Sequence, residues 1–534
     1  MAAGHTDVIV VGAGFAGLYA HYRLCGLGLS ALGFEAAPDV GGTWYWNAYP
    51  GARCDVESLD YCYSFSPELL DDWRWSERYA TQPEILRYAH HVAERFDLRR
   101  DVTFATRVVA ARFDRDAALW TVETDKGDRA TARFLVAAVG PLSVAKLPDF
   151  PGLEDFVGRW VMTSAWPHEP VDMADKHVAL IGTGSSGIQA IPVIAEQAAR
   201  LTVFQRTPNF SLPARNGPPD PAYEALARSD YAAHIQRNRA SRGGVQPKYT
   251  AQPGAIEVDE AARLARYEEA WDLGGTRMQA AFRDLMSDVA ANDTAADFVR
   301  GKIRAIVVDP TVAQRLSPYD HPLGTKRICL DTDYYATFNR PNVTLVDIRS
   351  EPIERIATDG IVTAAGLYPA DLIVFATGFD AMTGPLLAMN IEGAGGHRLA
   401  DAWADGPATY LGLMVAGFPN LFLVNGPGSP SVLCNMLVAI EQHVDWIVDA
   451  IAHLRETGRS RIEALSEAQA AWVDEVRMVA DRTLYPLANS WYNGDNVPGK
   501  PRVFLPYVGG FDTYVRRCAE IVSQGYAGFR LSPA

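Results

Sequence analysis

The sequence is poor in cysteine, has fewer basic than acidic residues, and contains no long apolar run. Its 534 residues include only six cysteines, Cys25, Cys54, Cys62, Cys329, Cys434 and Cys518, with no CxxC pair. That excludes a disulfide framework, finger-type zinc spacing and a dithiol redox centre. Free thiols in a reducing cytoplasm are expected, and no metal. Lys and Arg total 49 against 64 Asp and Glu, a formal charge of −15, so no broad basic face is available for nucleic acid. No stretch of 18 or more apolar residues occurs, which argues against a membrane-spanning helix. The opening MAAGHTDVIVVGAG has no basic region ahead of an apolar core and does not read as a signal peptide.

What is present is a soluble α/β composition, 48% hydrophobic and 21% charged, long enough for two or three domains. Val8–Val11 is a short β-branched strand, and Gly12-Ala-Gly14-Phe15-Ala-Gly17 follows it. A helix is expected from Leu18 to about Leu27, and a strand at Leu32–Phe34 ends on Glu35. This is the order of a dinucleotide-binding βαβ unit. Gly12 permits the tight turn, Gly14 lets a pyrophosphate approach the backbone, and Gly17 lets the helix pack close to the sheet. The helix N-terminus offers oriented N–H groups, and Glu35 is placed to accept from an adenosine ribose.

The same grammar returns about 170 residues later. His177–Ile181 is a strand, Gly182-Thr183-Gly184-Ser185-Ser186-Gly187 a turn, and Ile188–Gln197 a helix. Its second strand, Leu201–Phe204, ends in Gln205-Arg206-Thr207 with no acid. A carboxylate there would repel a 2′-phosphate, whereas a guanidinium and a hydroxyl can bind one. The second site therefore reads as NADP(H)-specific. Lys326 is a further candidate for the phosphate, although spacing does not bring it near Arg206. The run DLIVFATG, ending in Thr377-Gly378, reads as a further strand and small-residue turn. Residues 213–322 show helical spacing, as at Asp259–Trp271, and read as a helical insertion in the second dinucleotide domain.

The segment GGTWYWNAYPGARCD, residues 41–55, resembles the first fingerprint of the Baeyer–Villiger monooxygenases, through Gly42, Trp44, Tyr49, Pro50, Gly51 and Asp55. The second fingerprint, FxGxxxHxxxWP, is matched at Phe156, Gly158, Trp166 and Pro167, but Met162 stands where the family has histidine. The resemblance runs over nearly the whole chain and is nearest the phenylacetone and cyclohexanone types.

The resemblance implies two Rossmann-like domains with a helical insertion. It divides the chain into an FAD-binding domain at 1–145 and 381–534, an NADP-binding domain at 146–212 and 326–380, and the insertion at 213–325. It implies FAD and NADPH as cofactors, a ketone and dioxygen as substrates, and an ester or lactone product formed by way of a flavin peroxide. A guanidinium cannot act as an acid, so it stabilises anionic oxygen without protonating it. The resemblance assigns that role to Arg327 and assigns Asp55 to orient it.

Phe15, Thr43, Trp44 and Tyr49 are implied flavin-side residues. Lys326 and Trp491 are implied NADP(H) contacts, and Thr377 and Gly378 line the flavin or the interdomain hinge. Ser431, Val432 and Leu433 correspond to a loop shaping the substrate pocket. A monomer is expected. The alternatives are a flavin monooxygenase acting mainly at sulfur or nitrogen, and an NADPH oxidase that does not couple.

Overall fold

A computed structural model describes residues 4–246 and 252–533. Two parallel-centred sheets form the frame, as the α/β reading expects. In the first, Gly4–Val11 lies between Ala31–Phe34 and Arg129–Ala137, parallel to both. Val8, Ile9 and Val10 are fully buried, because helices or strands cover both faces of such a strand and only an apolar run fits. The first helix spans Phe15–Gly26 and packs on the long helix Met436–Glu456. Leu421–Leu423 pairs with Arg129–Ala137, and Ile391–Glu392 with Val108–Asp114. The chain beyond Gly378 thus returns to the first sheet.

The second sheet is wholly parallel, in the order Val343–Asp347, Arg200–Gln205, His177–Ile181, Leu372–Phe375, Arg159–Met162. Its turn leads into the helix Ser185–Gln197. Besides the antiparallel pair Arg461–Ala464 and Phe529–Ser532, two larger sets of antiparallel strands were not foreseen in the sequence. One is Val108–Asp114, Leu119–Thr124 and Arg129–Ala137 in the first sheet. The other is the separate sheet of Ile353–Ala357, Gly360–Thr363 and Gly366–Pro369. Their strands are short, and most residues alternate between core and solvent, so they carry a weaker signal than a buried apolar run.

The segment read as one helical insertion packs in two places. Glu260–Leu273 and Val289–Ile306 bury Tyr267, Trp271, Ala295, Val299 and Ile303 in the core of the second sheet. Pro221–Ser229 and Tyr231–Arg239 instead lie on the first domain. Ala227 joins Leu59 and Leu70 there, and the buried Asp60 accepts from Tyr223 and Asn238 and pairs with His234. The ends of the segment meet where Ser211–Pro213 runs parallel to Cys329–Asp331. Among the described residues, no helix is long and apolar enough to cross a membrane.

Candidate functional site

Both glycine turns have the shape of phosphate cradles. A Cβ on Gly12 would fall 2.5 Å from the Ala138 carbonyl oxygen, and one on Gly14 would fall 3.3 Å from Gly42 Cα. Gly42 itself sits at φ +54, and its own Cβ would meet Gly14. The two glycine backbones therefore face each other across a gap that no side chain could share. In the second turn a Cβ on Gly182 or Gly187 would overlap backbone, whereas one on Gly184 would meet nothing within 4 Å. Gly184 and Ser185 are exposed, so the N-terminus of the helix that follows faces open space.

Glu35 is buried at the end of its strand, and its carboxylate accepts from Ala13 N at 2.6 Å and Ala37 N at 2.7 Å. Burial raises its pKa and these bonds oppose the rise. A carboxylate has about four acceptor sites, so two remain for ribose hydroxyls. The residues fit an adenine dinucleotide at this turn.

The Arg206 guanidinium is exposed at the end of Arg200–Gln205. Thr183 Oγ1 donates to the Thr207 carbonyl at 3.0 Å, which closes the turn beside it. Lys326, 120 residues after Arg206, stands within electrostatic reach of it. Burial lowers the Lys326 pKa, and the like charges of Arg206 and Arg349 lower it further, while Asp320 opposes. Lys146 is also held below its ordinary pKa, by burial and then by Arg206. Cations that crowd one another in this way suit a dianionic phosphate. Lys146 was not foreseen: it lies outside every motif, in the link between the sheets.

Arg327 is the centre of the arrangement. Its Nε donates to Asp55 Oδ2 at 2.8 Å and its Nη2 to Asp55 Oδ1 at 2.7 Å, a two-point ion pair across 272 residues of chain. Nη1 donates to the Val432 carbonyl at 2.6 Å. The Asp55 charge holds the guanidinium pKa well above its ordinary value, so it stays a cation at any working pH. Cys329 lies close by, its thiol pushed by burial up to about 12 and so uncharged.

Several residues read as flavin-side face elsewhere. Tyr49 turns away from the first domain: its hydroxyl donates to Gln189 Oε1 at 2.7 Å on the helix Ser185–Gln197, and its ring joins the second core. Gln189 Nε2 donates back to the Arg53 carbonyl at 3.0 Å. The fingerprint loop is thus a contact between the two domains, and its aromatic composition signalled packing without saying against what.

Phe15 puts its ring among Tyr61, Tyr63 and Tyr88, and its carbonyl accepts from the Tyr63 hydroxyl. The Trp44 indole donates to Tyr61 at 3.1 Å, while Thr43 is exposed at the start of the short helix Thr43–Trp46. Thr377 Oγ1 donates to the Lys146 carbonyl at 2.7 Å, and the Gly378 carbonyl accepts from Lys146 N at 3.1 Å. Those two residues join the two chain crossings between the sheets. The Ser431 hydroxyl donates to the Asn425 carbonyl at 3.3 Å. Leu433 borders an apolar cluster with Leu142, Met382, Val432, Trp491 and Phe504. Ser185 Oγ lies 3.2 Å from Cys329 Sγ, and Ser186 bonds the Tyr49 hydroxyl.

Met162 ends the edge strand Arg159–Met162 and packs beside the apolar cluster of Phe156, Ile181 and Phe375. The link between domains at this point is made instead by Trp166 N, which donates to the Trp46 carbonyl at 3.1 Å.

Residues 5–219 match the family described as flavin-binding monooxygenase-like. A Baeyer-Villiger monooxygenase of Pseudooceanicola batsensis is 42% identical over 97% of this chain and 95% of its own. A solved steroid monooxygenase bound to NADP is 54% identical, with a TM-score of 0.95, over 99% of this chain and 100% of its own. Cyclohexanone monooxygenase from Rhodococcus sp. Phi1, bound to NADP+, superposes over 100% of both chains at 41% identity and a TM-score of 0.97. The chain belongs to the Baeyer–Villiger monooxygenase family.

Proposed function

We propose that this chain is an FAD- and NADPH-dependent monooxygenase that inserts one atom of dioxygen next to a ketone carbonyl, giving an ester or lactone. The observation that carries the reading is Arg327, paired at two points with Asp55 and bonded at a third to the Val432 carbonyl. Bound FAD supplies the redox chemistry, taking hydride equivalents from NADPH and passing electrons to dioxygen.

The chain's own work is binding and electrostatics. Glu35 and the Gly12–Gly17 turn hold FAD, with the Gly42 backbone closing the opposite side. The Gly182–Gly187 turn holds the pyrophosphate of NADPH, and Arg206 with Lys326 holds its 2′-phosphate. Arg327 would stabilise negative charge developing on the ketone's carbonyl oxygen, and Asp55 would fix where that charge is met. A guanidinium held this firmly needs no reorganisation as the charge develops. The apolar cluster around Leu433 supports an uncharged ketone as substrate. A reducing cytoplasmic setting agrees with six free cysteines, five of them buried. Purified holoenzyme is expected to consume NADPH in step with added ketone and to yield one ester per NADPH. Ketone-independent consumption with hydrogen peroxide as the sole product would contradict the assignment.

Arg206→Ala is expected to raise the KM for NADPH at least tenfold and to leave that for NADH within about twofold, since one charge-assisted phosphate contact is worth about 1.5–3 kcal/mol. Steady-state kinetics with both nucleotides checks this. Met162→His returns the family's imidazole to a position now used for packing. It is expected to shift the fraction of NADPH lost to hydrogen peroxide by at least twofold, measured with a peroxide assay beside product yield. An unchanged fraction would mean that the thioether is a neutral replacement.

A further inference from the structure

The start of the helix Ser185–Gln197 bonds to both chain segments that carry the Arg327–Asp55 pair. Ser185 and Gln189 are four residues apart and so lie on one face of that helix. Ser185 Oγ stands 3.2 Å from the Sγ of Cys329, two residues after Arg327. Gln189 grips Arg53, two residues before Asp55, at both backbone polar groups. Its Nε2 donates to the Arg53 carbonyl at 3.0 Å, and its Oε1 accepts from Arg53 N at 3.5 Å. The same Oε1 accepts from the Tyr49 hydroxyl at 2.7 Å.

The two segments are otherwise anchored in different domains. Asn209 Nδ2 donates to the Arg327 carbonyl at 3.2 Å and to Cys329 Sγ at 3.4 Å, and Ser211 lies opposite Cys329 in a parallel strand pair. That ties the Arg327 segment to the chain leaving the second sheet. The Asp55 segment belongs to the first domain: Arg53 bridges to Thr81, and Cys54 N donates to the Ala80 carbonyl at 3.1 Å. Gln189 crosses from one domain to the other at this point.

We propose that Gln189 is a positioning residue for the Arg327–Asp55 pair: it fixes the Asp55 segment to the helix whose N-terminus seats the nicotinamide nucleotide. Nucleotide phosphate at the Gly182–Gly187 turn restrains the helix start, and Gln189 carries that restraint to the backbone beside Asp55. Ser185, on the same face, holds the Arg327 segment at Cys329. The carboxylate and the guanidinium are thus both registered to the bound nucleotide. Without the Gln189 amide, the Asp55 segment answers to the first domain alone. This rests on the reading of that turn as the NADP(H) seat and of Arg327 as the oxygen-inserting site.

The test uses FAD-loaded wild type and Gln189→Met, with NADP+ as the probe. Methionine keeps an unbranched side chain of similar length and loses the amide bonds. Amide hydrogen exchange is followed by mass spectrometry over residues 49–56 and 182–188. In the wild type, saturating NADP+ is expected to slow exchange about fivefold or more in both segments. In Gln189→Met it should still protect 182–188 but slow 49–56 less than about twofold, with the Kd for NADP+ within about threefold. Ester formed per NADPH should fall about threefold or more while the rate of flavin reduction stays within about twofold. Gln189→Glu keeps the bond from Tyr49 and loses donation to the Arg53 carbonyl; it should behave in the same way and serves if the methionine variant does not fold. Protection of 49–56 equal to wild type in a folded variant overturns the proposal, and so does an unchanged ester ratio. Failure of NADP+ to protect 182–188 in the wild type overturns the nucleotide seat and the proposal with it. Absence of ester from the wild type counts against the oxygen-inserting reading instead, and the exchange comparison still decides whether Gln189 ties the nucleotide helix to the Asp55 segment.

Discussion

Arg327→Ala is expected to abolish ester formation while reduction of the flavin by NADPH survives at least in part. The reasoning is electrostatic. Removing one preorganised donor from an oxyanion site costs about a hundredfold to a thousandfold in rate. Arg327 is a full cation as well as a donor, so the loss should be at least a thousandfold, about 4 kcal/mol. The substitution also strips Asp55 of its partner. That carboxylate accepts from two guanidinium nitrogens and would be left partly buried and unpaired, which adds a stability penalty. Stopped-flow absorbance separates the two half-reactions. A variant that keeps its ester yield would remove Arg327 from the chemistry.

Gly51→Ala should damage the enzyme from the other side of the same loop. Gly51 has φ +81, a region that costs a side-chain-bearing residue about 1–2 kcal/mol. A Cβ there would also collide with the Gln189 carbonyl on the helix Ser185–Gln197 and approach Val193 Cγ2 to 3.1 Å. The collision is with backbone, so no side chain can swing aside. Strain and displacement together should destabilise by about 2–4 kcal/mol, a fall in melting temperature on the order of 2–4 °C for a chain of this length. Because the clash lies between the domains, NADP+ affinity should fall with it. A variant that melts and binds NADP+ like the wild type would contradict the reading of this loop as an interdomain contact.

The parts legible in the sequence were those whose chemistry is local. A phosphate cradle needs a strand, glycines at set offsets and a helix start, all within about 25 residues, and both copies stand where the residues imply. The absence of an acid after Phe204 was legible for the same reason. The Arg327–Asp55 pair was not, since nothing in 272 intervening residues encodes the meeting; only the fingerprint resemblance pointed to it. Lys146 lay further out of reach, because its importance comes from neighbours contributed by distant segments. Tyr49 and Gly51 show a different limit. Their residue types require close packing, but the partner is a helix that begins more than 130 residues later, and spacing carries no information about it. The helices at 221–239 were legible as helices, yet only the fold puts them on the first domain through Asp60.

The central claim is that an oxygen atom from dioxygen enters the ketone next to its carbonyl. Turnover of holoenzyme with NADPH and a simple ketone under ¹⁸O₂, followed by mass spectrometry of the product, tests it directly. The expected product is an ester or lactone heavier than the ketone by one labelled oxygen, retained in the ring or chain position. An unlabelled product, or NADPH consumption that yields only labelled hydrogen peroxide, would contradict it.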